Sequence, residues 1–301
     1  MLFDSHAHLN NADMTEEDRE QMVEQIEESI RQGMLDHVMD IGFDPASSEM
    51  AAKHAEQYPW CNAAAGCHPH DAKTMDEDQL QKIRDLAAQP KVRAIGEIGL
   101  DFHYDLSDRD VQREWFRRQI RLANELKMPI CIHAREADQE VMDILVEEGA
   151  FSEERRSWFP KRPDLTGFCK GREAGWQAAE GPAAAETAGL TGDARVLLHC
   201  FSGSAELGKQ YVRMGATLSI AGPVTYKNNK KTVAVVREIP IDFLLVETDS
   251  PYLSPVPLRG KPNTPPNVEH TARKVAEIKE MTFEEVAAKT KENAMRFYGI
   301  D

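Results

Sequence analysis

Short apolar runs alternate with amphipathic stretches along almost the whole chain. Segments 2–8, 37–43, 61–68, 92–101, 129–134, 195–201, 217–221 and 243–248 are brief and largely apolar, as buried strands of a parallel sheet are. Between them, segments 15–33, 46–58, 76–88, 108–127, 138–148, 205–214 and 229–237 carry charge on one side and apolar residues on the other, the pattern of surface helices. Two further helices, 267–280 and 284–298, close the chain. Thr15 with Asp18 and Thr282 with Glu285 stand at capping-box spacing, which starts a helix by pairing its first free amides with side chains. Strand followed by helix, repeated eight times, predicts an α/β protein with a (β/α)8 barrel, a single domain over 1–301. An open doubly wound sheet is the alternative, but it scatters the polar residues at the strand ends.

The rhythm breaks once. Segment 149–193 is rich in Arg, Glu, Ala, Gly and Pro, with Trp158, Phe159 and Trp176 among them. It reads as an insertion between the fifth and sixth βα units, expected on the face where the strands end. A surface loop also tolerates such lengthening at small entropic cost.

Composition narrows the function classes. A net charge of -15 over 301 residues disfavours general attraction to a phosphate backbone, so any nucleic-acid role has to be local and metal-assisted. The five cysteines are an odd number with no Cys-x-x-Cys pair, consistent with reduced thiols in a cytoplasmic protein. No apolar stretch approaches the ~20 residues that span a bilayer, and the opening residues read as a strand rather than a signal peptide. The expectation is a soluble, unexported chain with no membrane association and no obligate protein partner.

The candidate chemistry lies at the ends of the strands. His6 and His8 are two apart in a strand run and so leave the same face together, spaced to grip one cation. His68, Glu97, His133, His199, Glu247 and Asp249 fall at the ends of other predicted strands, which a barrel gathers at one rim. Singly, each has a plain reading as a hydrogen-bonded histidine or a helix-capping carboxylate. Their coincidence points to a divalent-metal site. His37, His54 and His103 lie at an element start, on a helix and in a loop, and are expected to be structural.

The motifs Phe3-Asp4-Ser5-His6-Ala7-His8-Leu9, Gly66-Cys67-His68-Pro69-His70, Ile95-Gly96-Glu97-Ile98-Gly99-Leu100-Asp101, Ile132-His133-Ala134-Arg135, His199-Cys200-Phe201-Ser202-Gly203 and Glu247-Thr248-Asp249-Ser250-Pro251-Tyr252-Leu253 closely resemble those of the TatD family of metal-dependent hydrolases, within the amidohydrolase superfamily. The resemblance covers the chain except 149–193. It implies a TIM barrel, one or two divalent ions, and deoxyribonuclease activity of the 3′ to 5′ exonuclease type. Carried over residue by residue, it implies that His6, His8, Glu97 and Asp249 hold one metal, and that Glu97, His133 and His199 hold a second, with Glu97 bridging. It also implies that His68 faces the substrate.

Two cations ~3.5–4 Å apart can stabilise both the attacking and the leaving oxygen of a phosphodiester and make a water acidic. Glu97 and Asp249 are the expected catalytic residues, Asp249 either as proton acceptor or as ligand only. Arg135, two residues beyond His133 on the same face, is expected to bind phosphate. The basic loops 226–231 and 259–261 follow the last two strands, and Tyr226 is placed to stack a base. Zinc, magnesium and manganese are the candidate ions. Imidazole favours a transition metal, whereas magnesium prefers oxygen, so the resident and activating ions can differ. The absence of a bridging lysine on the fourth strand favours this family over the lysine-bridged amidohydrolases. An ester or amide hydrolase, such as an aminoacyl-tRNA deacylase, is the alternative reaction, and a non-catalytic metal-stabilised module is the third.

Overall fold

Eight parallel strands follow one another around a single sheet in chain order: β1 (Leu2–Ala7), β2 (Leu35–Ile41), β3 (Cys61–Ala65), β4 (Val92–Asp101), β5 (Ile130–Arg135), β6 (Val196–Leu198), β7 (Thr217–Ile220) and β8 (Leu244–Val246). This computed structural model describes residues 1–160, 162 and 192–300. The regular ladder stops at β8, yet the residues just beyond that strand draw the ring nearly closed. A parallel bridge joins Ala7 to Ser250, the His8 amide donates to the Ser250 carbonyl at 2.8 Å, and the Asp249 amide donates to the His6 carbonyl at 2.9 Å. Buried Asp4 completes the seam by accepting from the Thr248 amide at 2.8 Å and its hydroxyl at 2.5 Å.

The expected barrel is present, with helices α1 (Glu16–Arg31), α2 (Pro45–Gln57), α3 (Glu77–Ala87), α4 (Arg109–Leu126), α5 (Asp138–Glu147), α6 (Glu153–Ser157), α7 (Ala205–Met214), α8 (Lys230–Glu238), α9 (Val268–Lys279) and α10 (Phe283–Tyr298). Both capping boxes form, at Thr15 with Asp18 and at Thr282 with Glu285. Among the described residues, the short α6 and four 3-10 turns are additions to the expected elements, too brief to carry a periodic signal. Inside the ring, Phe3, Met39, Ile41, Ala64, Ala94, Cys131, Leu197 and Leu245 pack together, and Phe297 and Tyr298 of α10 plug the amino-terminal end. The larger apolar cluster lies between strands and helices. Hence the barrel is a filled core and its polar strand ends can gather only at the rim.

Most of segment 149–193 lies outside the described residues. Its described flanks correct the expectation that it emerges where the strands end. The segment begins after α5, which has already carried the chain back across the barrel, and its flanks pack against the opposite rim. Arg155 donates to the carbonyls of Met128 at 2.7 Å and Ala194 at 2.8 Å, just ahead of β5 and β6. Arg162 donates to the Ala216 carbonyl at 2.8 Å, just ahead of β7.

Candidate metal centre

Glu97, near the middle of β4, is the hub of the carboxyl-end rim. It is 3% exposed, and its two carboxylate oxygens face different sets of imidazoles. Oε2 lies 3.3 Å from His6 Nε2 and 3.6 Å from His8 Nε2. Oε1 lies 2.8 Å from His133 Nδ1, 2.9 Å from His199 Nε2 and 3.6 Å from His68 Nε2. Asp249 Oδ1 faces the first set, 3.8 Å from His6 Nε2 and 3.5 Å from His8 Nε2. Among the described residues, three groups therefore keep their donor atoms within 4.8 Å of one another: His6, His8 and Asp249; His6, Glu97 and His199; and His68, Glu97 and His133. All the expected strand-end residues except Glu247 and Arg135 meet here.

The backbone explains the convergence. Strand β1 is irregular between Asp4 and Ala7, where its pairing with β2 shifts, and His6 and His8 bring their Nε2 atoms to 3.2 Å. Gly99 lets β4 and β5 close together: a Cβ there would stand 1.9 Å from the His133 carbonyl oxygen, and its φ of 152° is one that side chains rarely adopt. Asp249 and Cys200 take left-handed backbone, at φ 57° and 42°, a conformation that costs free energy outside glycine and is concentrated at functional sites.

Behind the imidazoles stand groups that fix their orientation. His8 Nδ1 meets the Ile41 carbonyl at 2.7 Å, His133 Nε2 meets Asp101 Oδ2 at 3.2 Å, and His199 Nδ1 lies 3.3 Å from Glu247 Oε1. Such backing sets which ring nitrogen is free to coordinate. His70 shares Asp101, at 2.9 Å. The expected site residues omit Asp101 and His70, although Asp101 is the last residue of β4 and His70 stands two residues beyond His68. Glu247 is visible at a strand end and takes this backing place.

Burial and charge work against each other throughout. Burial raises the affinity of Glu97 for a proton, but His199, His68 and hydrogen bonding to His133 hold it well below the usual carboxylate range. Burial likewise raises Asp249, and His8, His199 and His6 bring it down. Burial lowers His199, His133 and His8, yet Glu97, Asp101 and Asp249 carry these three above the ordinary imidazole range. Burial lowers His68 and His6, and neighbouring imidazolium charge lowers them further. The buried Nδ1 of His6 has no hydrogen-bond partner among the described residues. Clustered nitrogen and oxygen donors with buried negative charge fit a divalent metal cation.

Arg135 is exposed at the end of β5, and its guanidinium sits 4.6 Å from the centroid of the Tyr104 ring. His37, His54 and His103 stand apart and pair with Asp36, Asp40 and Glu136. Tyr226 donates to the Ser254 carbonyl at 2.9 Å and has the Arg259 guanidinium 4.4 Å from its ring centroid, so one face is covered. Among the described residues the cysteines Cys61, Cys67, Cys131 and Cys200 are free thiols; Cys169 lies outside them. No helix among the described residues is long and apolar enough to cross a membrane.

The family model for TatD related DNase matches residues 3–299. The uncharacterized metal-dependent hydrolase YabD of Bacillus subtilis is 42% identical over 301 residues, covering 100% of both chains. A protein of Dickeya dadantii named 3'-5' ssDNA/RNA exonuclease TatD is 31% identical over 303 residues, covering 99% of this chain and 97% of its own. Among solved structures, the TatD homolog YJJV from Escherichia coli superposes with a TM-score of 0.78 at 20% identity, covering 100% of this chain and 98% of its own, a likeness of fold. Arising from independent comparisons, these matches and the rim of imidazoles and carboxylates agree: the chain belongs to the TatD family of metal-dependent hydrolases.

Proposed function

We propose that this protein is a deoxyribonuclease that removes nucleotides from DNA ends with two divalent cations in the rim. The observation that carries the reading is Glu97, whose two oxygens face two separate imidazole sets and which is thereby placed to bridge. Charge supports the count. Glu97, Asp101, Glu247 and Asp249 gather within contact of the imidazoles, and two divalent cations would replace the positive charge that these imidazoles give up when they coordinate. Burying that charge unpaired costs several kcal/mol per ion. His6, His8, Glu97 and Asp249 would hold one cation, and Glu97, His133 and His199 the other. His68, 3.6 Å from Glu97, stands beside the second group, where it serves as a further donor or meets the substrate phosphate.

Bound cations supply Lewis acidity to the phosphate and make a water acidic enough to act near neutral pH. The chain's own residues do the rest. Asp249, 14% exposed at its side chain, reaches from the first imidazole pair to the open mouth and is placed to take the proton from the attacking water and return it to the leaving oxygen. Arg135 presents a permanently charged guanidinium at the rim, where it pairs with phosphate oxygens and offsets the negative chain. The named activity of the Dickeya relative agrees in reaction class.

The test is chelation followed by restoration with zinc, manganese or magnesium singly, elemental analysis at each stage, and assay on end-labelled single-stranded DNA beside an aminoacyl ester. Metal-dependent release of mononucleotides is the expected result. Turnover of the ester with DNA left intact moves the protein to carbonyl hydrolysis, and turnover of neither removes the enzymatic reading.

A further inference from the structure

Exposed apolar side chains carry meaning where they cluster and not where they scatter singly, and here their distribution is uneven. Among the described residues, the exposed large apolar side chains other than Met1 are Tyr104, Leu106, Tyr252 and Val256. Tyr104 and Leu106 follow β4; Tyr252 and Val256 follow β8. Strands four places apart in an eight-stranded ring stand opposite each other, so the two patches flank the Glu97 cluster from opposite sides of the mouth.

Both tyrosine rings are held, not loose. Tyr252 accepts a 2.7 Å hydrogen bond from the Asn11 side chain, and its ring centroid is 6.3 Å from that of His8. Tyr104 has its ring centroid 5.5 Å from that of His70, with the Arg135 guanidinium over it at 4.6 Å. Each ring is nonetheless half-exposed, at 52%. A fixed aromatic ring with an open face beside a phosphate-binding centre is the arrangement that stacks unpaired bases.

We propose that Tyr104 and Tyr252 are base-stacking platforms on either side of the scissile phosphate, and that they select unpaired nucleic-acid ends. This rests on the phosphodiesterase reading of the metal centre. Bases inside a duplex already stack on each other and offer no free face, so the platforms favour single strands. Because a ring contacts the base and not the sugar, they do not separate DNA from RNA. Arg135 acts at the same place, fixing the Tyr104 ring from one side while lending positive charge to the strand.

The experiment compares kcat and KM on a single-stranded oligonucleotide and on one of equal length whose two terminal residues lack bases. In Y104A and in Y252A the KM on the base-bearing strand is expected to rise about tenfold, with kcat little changed, since one stacking contact is worth roughly that factor. The parent's preference for the base-bearing strand over the abasic one collapses by the same factor. Y104F and Y252F, which keep the ring, stay within about threefold of the parent. Equal losses on both strands, or a parent without preference between them, overturn the proposal. If the metal-restored parent cleaves neither strand, the nuclease reading fails first and the platforms fall with it, a result distinct from cleavage without base preference.

Discussion

The two ends of this barrel each bury a cluster of charged side chains, and the clusters are chemically opposite. At the carboxyl rim, imidazoles and carboxylates point their donor atoms at one another and leave room for cations. At the amino rim, Arg155, Arg162 and Arg195 are buried around Asp193, whose charge acts on all three, and Arg156 is buried under the influence of Glu153. There the guanidinium groups meet backbone carbonyls and rings, and some of their nitrogens, Arg162 Nε and Nη2 among them, have no hydrogen-bond partner among the described residues. Arg155 donates to two carbonyls and to the Asn124 side chain at 2.7 Å, Arg162 lies 4.0 Å from the centroid of Phe243, and Arg195 lies 4.7 Å from that of Phe159. Burial lowers Arg155 to about 9 and Arg162 to about 10, so both remain charged at neutral pH. A guanidinium cannot coordinate a metal, and its hydrogen bonds tie loops to strand starts. An imidazole can shed its proton and offer a lone pair. On the proposed function the first cluster serves chemistry and the second stability, as barrels commonly divide their two faces.

Substitutions at the two rims should give opposite readouts. Glu97→Ala should lower kcat/KM at least about a thousandfold, equivalent to about 4 kcal/mol of transition-state stabilisation, because in the proposed centre both cations would lose a shared ligand. Elemental analysis should show bound metal falling while circular dichroism reports a folded barrel. Undiminished turnover would place the chemistry elsewhere. Arg155→Ala should destabilise the fold by about 3 kcal/mol by leaving buried carbonyls unpaired. That is a fall in Tm of roughly 6–12 °C, read by thermal unfolding. Its kcat per folded molecule should match the parent's; a selective loss of kcat would break the division between the rims.

A third test uses protons. His8, His133 and His199 are held above the ordinary imidazole range by carboxylates, so in the metal-free protein they keep their protons until higher pH. Cation binding needs them neutral and must displace those protons, so affinity should weaken as pH falls, by up to about tenfold per unit for each proton released. Calorimetric titration in buffers of different ionisation enthalpy measures that release directly. Arg155 and Arg162 stay charged over the neutral range and contribute no such slope. A cation Kd independent of pH would mean that these imidazoles are not the donors.

Legibility differs between the rims for the same physical reason. His6, His8, His68, Glu97, His133, His199 and Asp249 can be read from the chain because a barrel converts the end of any strand into a place on one rim, and strand ends show in the apolar pattern. Asp101 and His70 escape because backing a histidine leaves no mark beyond an ordinary polar residue. Tyr104 and Tyr252 sit in or beside strand-end motifs, but exposure is a tertiary quantity. The amino-rim arginines give no signal at all, since their partners are carbonyls that every residue carries, at Met128, Ala194 and Ala216.

Periodicity by itself determined the number and order of the strands and the order of the longer helices among the described residues, and with them the face on which ligand-type residues collect. Local patterns suffice there, because burial of one side of each element depends on nearest neighbours in sequence. Only the tertiary structure decided that the two oxygens of Glu97 face different imidazole sets, that β1 shifts register to bring His6 and His8 together, and that the flanks of segment 149–193 lie at the rim opposite the one expected. Those outcomes depend on side-chain direction and on which end of a strand a connection leaves. Neither is written in the alternation of apolar and polar positions, and both appear only when distant segments meet.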